Sequence, residues 1–162
     1  MPSASLPGEL PSTGVVEFDR LMIGTEQYLR WVEKIESRGF LVQQRALTRG
    51  TACEIADRVV TVDPERFRYT DLLHESRHIR QIERAEEQGI DPFGEGRFAT
   101  IRRAWFERGA YEYEQRLGRK FGFSRDYLGF LEERINHYWK RSYQQELRFS
   151  LAAQEHFGRL WR

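Results

Sequence analysis

Apolar positions along this chain recur at two spacings, and the switches between them predict the elements. Tyr28, Leu29, Val32 and Ile35 follow one another at helical spacing behind Thr25, a residue suited to cap a helix, and the run stops before Gly39. Phe40-Leu41-Val42 and the stretch from Ala52 to Val62 read as strands, with Arg49-Gly50-Thr51 and Asp57-Arg58 as turns. Val15 to Phe18 is a further short strand by the same criterion. Helical spacing returns from Thr70, the expected N-cap, through Leu72, Leu73, Ile79, Ile82 and Ala85 to a stop near Gly89. Ile90 to Gly96, with Pro92 and Gly94, has loop composition. A helix is then expected from Phe98 to about Leu117, broken by Gly118 to Gly122. Ser124 caps another reaching about Arg141, and a last one runs from Tyr143 toward Trp161. A small, mostly antiparallel sheet followed by helices is an α+β order. Residues 1–14 hold three prolines, three serines and two glycines and read as a flexible linker or tail, leaving 15–162 as a single domain.

The helix after the strands carries His74-Glu75-Ser76-Arg77-His78. Histidines four apart lie on one helix face, one turn from each other, so both imidazoles can reach one zinc ion. Glu75 leans toward the same side, where a carboxylate can take a proton from water activated by the metal. Two imidazoles satisfied by backbone groups would be the bland alternative. The apolar side of this helix, and its position after a strand and the Asp63-Pro64 turn, favour a metal site.

Composition narrows the picture. At 162 residues with 40% hydrophobic and 14% aromatic content, the chain is long and apolar enough for a packed core. Charges of both signs alternate to a net +1, which gives no reason to expect nucleic acid or an anionic membrane as partner. Positive charge is nearly all arginine, 23 against three lysines. Cys53 is the only cysteine, so neither an internal disulfide nor a thiolate metal cluster is available; between Ala52 and Ile55 it reads as a small buried strand residue. No apolar run is long enough for a membrane helix, and the N-terminus lacks the pattern of a signal peptide. If the domain leaves the cell, something else carries it.

A hydrolytic zinc has three protein ligands and one open position. Gln81 and Arg84 stand where a histidine ligand would continue the motif into a metzincin, so the third ligand comes from elsewhere. On the next helix, Glu107, Ala110, Tyr111 and Glu114 share a face. Glu107 is the first choice, Glu114 the second, and Glu112, off that face, the third. Tyr111, Tyr113 and His137 are candidates to donate a hydrogen bond to a developing oxyanion, Tyr111 foremost. His137 and His156, among aromatic neighbours, read as packing residues. Asp71 and Gln81 could orient a histidine from behind, or simply cap and face solvent.

His74 to Gln81, followed by Glu107-x-x-Ala110-Tyr111, resembles the gluzincin-type zincins, and more narrowly the small metallopeptidase toxin domains at the C-termini of bacterial polymorphic toxins. The stretch from Gly24 through Phe40 and the Tyr111-Glu-Tyr-Glu run add to the likeness. The resemblance implies a zincin-like fold and a zinc-dependent metallopeptidase that cuts a protein or peptide substrate, secreted as an effector into a rival cell. It also implies a cognate immunity protein and carrier or secretion machinery as partners. Gly109 departs from the glutamate expected just before Ala110. In the mechanism this implies, His74, His78 and Glu107 hold Zn²⁺, Glu75 is the general base, and Tyr111 supports the oxyanion. A housekeeping cytosolic zinc hydrolase, or an inert binding module on the same fold, are the alternatives the sequence leaves open.

Overall fold

The computed structural model describes residues 10–48, 50–95 and 98–161, with side chains described as far as 142 and at 144 and 155. In order, the elements are α1 (Val16–Asp19), α2 (Glu26–Glu36), β1 (Leu41–Gln44), β2 (Cys53–Ala56), β3 (Val59–Val62), α3 (Tyr69–Glu87), α4 (Ala99–Phe121) and α5 (Arg125–Trp161). The class is α+β. The chain divides into two compact units: residues up to Leu73 with Phe121–Tyr127, and His74–Lys120 with the chain from Leu128 onward.

In the first unit, Thr25 caps α2 by accepting the Tyr28 N–H on its hydroxyl at 3.1 Å. The sheet is mixed rather than mostly antiparallel. Its order is β1-β3-β2, with β1 parallel to β3 and β2 antiparallel to it, Leu41 opposite Val59 and Cys53 opposite Val62. β3 is the most apolar strand, with Val60 and Val62 fully buried, so it takes the centre, where both of its edges are paired. β2 and β3 form a hairpin whose turn places Asp57 at φ +54°, a conformation aspartate tolerates better than most residues. The eight residues before β2 leave β3 room to insert beside β1. Cys53 is half-buried on the edge strand β2.

Phe67 anchors the core of this unit, its ring 5.3 Å from Trp31 and 6.2 Å from Tyr28. Phe18 packs on Phe123 and on Tyr69. The strand expected over Val15–Phe18 is instead the short helix α1. The Val15 carbonyl accepts the N–H groups of Phe18 and Asp19, and Val16 is left exposed, so local hydrogen bonds override the β preference of two valines. Most of the expected tail, 1–9, lies outside the described residues. Within the remainder, Thr13 is fully buried and its N–H donates to Asp19 at 2.9 Å.

α3 begins one residue earlier than expected, and Thr70 is not its cap. Asp71 reaches back to accept the Arg68 N–H at 2.8 Å, one half of a capping box, while the Arg68 carbonyl takes the Leu72 N–H as the first helical bond. The Thr70 hydroxyl is buried with no hydrogen-bond partner. At the other end Gly89, at φ +73°, lets the Ile90 N–H return to the Ala85 carbonyl at 2.9 Å, closing the helix where the sequence predicts.

In the second unit α3 and α4 run antiparallel: Ala85 packs near Ile101, and the contacts described below pair Gln81 with Phe106 and His74 with Glu114. α4 continues through Gly118, which is buried inside it, and ends at Gly122, φ +76°. The two C-terminal helices expected from the sequence are one, α5, running through Ser142. That hydroxyl is fully buried and donates to the carbonyls of Tyr138 (2.8 Å) and Trp139 (3.0 Å), so the polar group is absorbed by the preceding turn. Neither proline nor glycine occurs between Phe130 and Phe157 to break the helix. Among the described residues no helix is long and apolar enough to cross a membrane.

Candidate metal centre

α3 presents His74 and His78 from successive turns, and α4 brings Glu107 across to them. All belong to the second unit. His74 Nε2 lies 3.0 Å from His78 Nε2, and the Glu107 carboxylate lies 3.3 Å from the first and 3.4 Å from the second. One donor atom from each residue falls within 4.8 Å of the others. The histidines are 8% and 9% exposed. Zinc bonds of about 2.0–2.1 Å in a tetrahedron separate ligand atoms by about 3.3 Å, close to the spacing found.

The outer side of each imidazole decides which proton it carries. His74 Nδ1 is 2.5 Å from the Glu114 carboxylate, itself 4% exposed. A carboxylate accepts, so Nδ1 carries the hydrogen, and in the neutral ring Nε2 is left with a lone pair. For His78 the partner is Gln81 Oε1 at 2.9 Å, and the Gln81 amide is oriented by its own donation to the Phe106 carbonyl at 3.0 Å. Again Nδ1 donates, and in the neutral ring Nε2 is bare. Two Nε2 atoms, each a lone pair in the neutral ring, and a carboxylate therefore meet at one place. That arrangement is repulsive until a cation enters.

The ionisation equilibria carry the same sign. Burial works against a charged His74, yet its hydrogen bonds to Glu107 and Glu114 hold its pKa well above the ordinary histidine value. For His78, burial is outweighed by the charge and hydrogen bond of Glu107, and the pKa is raised. Burial would raise Glu107, but the His78 charge and the His74 hydrogen bond hold it far below the usual carboxyl range. Each shift favours positive charge at the centre.

Gly109 has its reason here. A Cβ at this position would lie 2.8 Å from Gln81 Nε2. Glycine inside a helix costs about 1 kcal/mol relative to alanine, and it lets the Gln81 amide pass over α4 on its way to Phe106. The role left open for Gln81 is thus an orienting one, and Asp71 is a cap.

Glu75 sits close enough to feel His78, His74, Glu107 and Glu114, and burial pushes its carboxyl above the ordinary range. The Tyr111 ring packs edge-on against His74 at 4.6 Å and is stacked on Tyr138 at 5.9 Å. Burial and the charges of Glu107 and Glu114 drive the Tyr111 pKa far up, so it remains a phenol able to donate. Tyr138 is raised by burial and by Glu107. Sequence spacing did not single out Tyr138, because α5 is brought to the site only by tertiary packing.

Other candidates lie elsewhere. Glu112 faces Arg108 at 3.4 Å, Tyr113 sits between arginines, and His137 is exposed beside Tyr138. The His156 side chain lies outside those described. Glu114, the second choice as ligand, stands behind His74 on Nδ1 and not beside Glu107. No family model, no curated protein and no solved structure matches this chain.

Proposed function

We propose that this chain is a zincin-like, zinc-dependent metallopeptidase in which His74, His78 and Glu107 hold the metal. The observation that carries the reading is the meeting of two imidazole Nε2 atoms and a carboxylate at zinc-ligand spacing, with each histidine's other nitrogen already committed. Zinc, when bound, supplies a Lewis acid that acidifies water toward neutrality and polarises a carbonyl. Glu75 takes the proton from water as its oxygen bonds to the peptide carbonyl carbon. The same proton then passes to the amide nitrogen as the C–N bond breaks, which leaves a carboxylic acid and an amine. A carboxyl raised by burial suits both halves of that transfer. Tyr111, kept protonated beside His74, donates its O–H to the oxygen that gains charge.

The likeness of His74–Gln81 and Glu107–Tyr111 to polymorphic-toxin metallopeptidases supports a secreted effector role in a target cell, with an immunity protein as partner. The test is Glu75→Gln. Zinc affinity should persist while cleavage, read in a proteome-wide screen against wild type, falls about 10²–10⁴-fold. Toxicity on expression should vanish with it. Undiminished cleavage by the variant removes Glu75 from the mechanism, and a protein that binds no zinc removes the reading.

A further inference from the structure

α3 carries a second feature on the flank next to its histidines. Arg77, Arg80 and Arg84 recur at intervals of three and four and so share one face. α4 adds Arg116. The Arg77 and Arg116 guanidinium carbons each lie 6.0 Å from the centre of the same Tyr113 ring, so arginines of the two helices converge on it. Arg80, Arg84 and Arg116 are exposed and Arg77 is half-buried.

Like charges three and four residues apart on a helix destabilise it by about 0.2–0.5 kcal/mol per pair. Arg77 is the half-buried member of the set. Its Nε is buried with no hydrogen-bond partner. Four arginines gathered on one flank of the two helices, in a chain of net charge +1, make a surface complementary to an anion.

We propose that Arg77, Arg80, Arg84 and Arg116 form a docking face for an acidic polypeptide segment of the protein that the metal centre acts on. This rests on the peptidase reading and adds the substrate class to it. Guanidinium forks pair with carboxylates through two parallel hydrogen bonds, which lysines do not do. The face extends from Arg77 to Arg84, about 10 Å of helix. An extended peptide covers that length in about three residues, so a short run of Asp and Glu matches it. A nucleic-acid backbone would need a longer basic track than four arginines on a nearly neutral chain. Docking beside His78 would tether the substrate next to the centre that cuts it.

The test uses the full-length Glu75→Gln variant, which leaves a bound peptide intact. A fluorescent glutamate-rich peptide is titrated by anisotropy against its glutamine counterpart. The expected result is binding of the glutamate peptide only, weakened by salt, and about tenfold weaker when Arg80, Arg84 and Arg116 are all changed to Gln. Those three side chains are exposed, so the variant keeps its core, and Arg77→Gln alone should lower affinity in the same direction. Equal binding of the two peptides overturns the proposal, as does indifference to the arginine changes. Tighter arginine-dependent binding of duplex DNA than of the glutamate peptide also overturns it. Zinc titration of the same samples reads the metal centre independently, so failure of docking and failure of the peptidase reading are separable.

Discussion

Asp63 in the first unit and Glu107 in the second are both carboxylates held below their ordinary pKa, and they get there by opposite means. Asp63 accepts the N–H of Leu47 and of Glu65, each at 3.0 Å, with its burial working the other way. Its demand for donors is met by backbone. Glu107 faces the Nε2 atoms of two imidazoles whose Nδ1 atoms are already engaged by Glu114 and Gln81, so only positive charge gathered at Nε2 holds it down. The first carboxylate is complete within the chain, while the second is complete only with a cation. Buried polar groups are ordinarily satisfied by their own protein, and a group that is not marks a place built for something else.

Exchanging the carboxylate for an amide should separate the two most sharply. Glu107→Gln removes the anionic ligand and should weaken zinc binding by more than about 100-fold, since even residues behind the ligands contribute 10–100-fold. Asp63→Asn should leave zinc affinity unchanged. Competition titration with a chromophoric chelator measures both. Equal affinity of wild type and Glu107→Gln would return Glu107 to the status of an ordinary ion-pair partner.

The comparison sharpens at Gly109. Alanine in a helix interior is about 1 kcal/mol better than glycine, yet Gly109→Ala should lower zinc affinity about tenfold, because its methyl group displaces the Gln81 amide and frees the His78 ring. Gln81→Ala should have a similar effect. In the double variant the second change should cost nothing further for zinc, and thermal unfolding of the metal-free protein should show the ordinary alanine gain. A double-mutant cycle read by zinc titration decides it, and simple additivity would mean that Gly109 is there for another reason.

These contrasts explain what the sequence could disclose. Caps and turns are local, so Thr25, Ser124 and the stop at Gly89 were legible, and so was the facing of His74 and His78, which only a helix period requires. Glu107 was legible as one of three glutamates, because the period of α4 groups it with Glu114 but does not say which of them meets the Nε2 side of a ring. Gly109 read as a departure, since its cause, Gln81, comes from another helix. The mixed sheet was hidden because strand order depends on which strand buries best. The single α5 was hidden because Ser142 reads as a break until its hydroxyl is seen bonded to the turn behind it.

The smallest effect belongs to the complete carboxylates. Asp63 and Asp19 have folded pKa values below 3.8, Asp63 through its backbone donors and Asp19 through Ser12, Thr13 and Arg68 against the effect of burial. An unfolded chain therefore takes up protons on these groups before the folded one does. Their contribution to stability is present above about pH 4 and is lost as the pH falls through the folded values. Urea midpoints measured from neutral pH down should decline in that acid range, and Asp63→Asn should flatten part of the decline while lowering the neutral-pH midpoint slightly. The amide keeps an acceptor for one N–H but not the charge that serves both Leu47 and Glu65. If the variant's acid decline matches wild type, the Asp63 pKa is the same folded and unfolded, and its two backbone hydrogen bonds favour neither ionisation state.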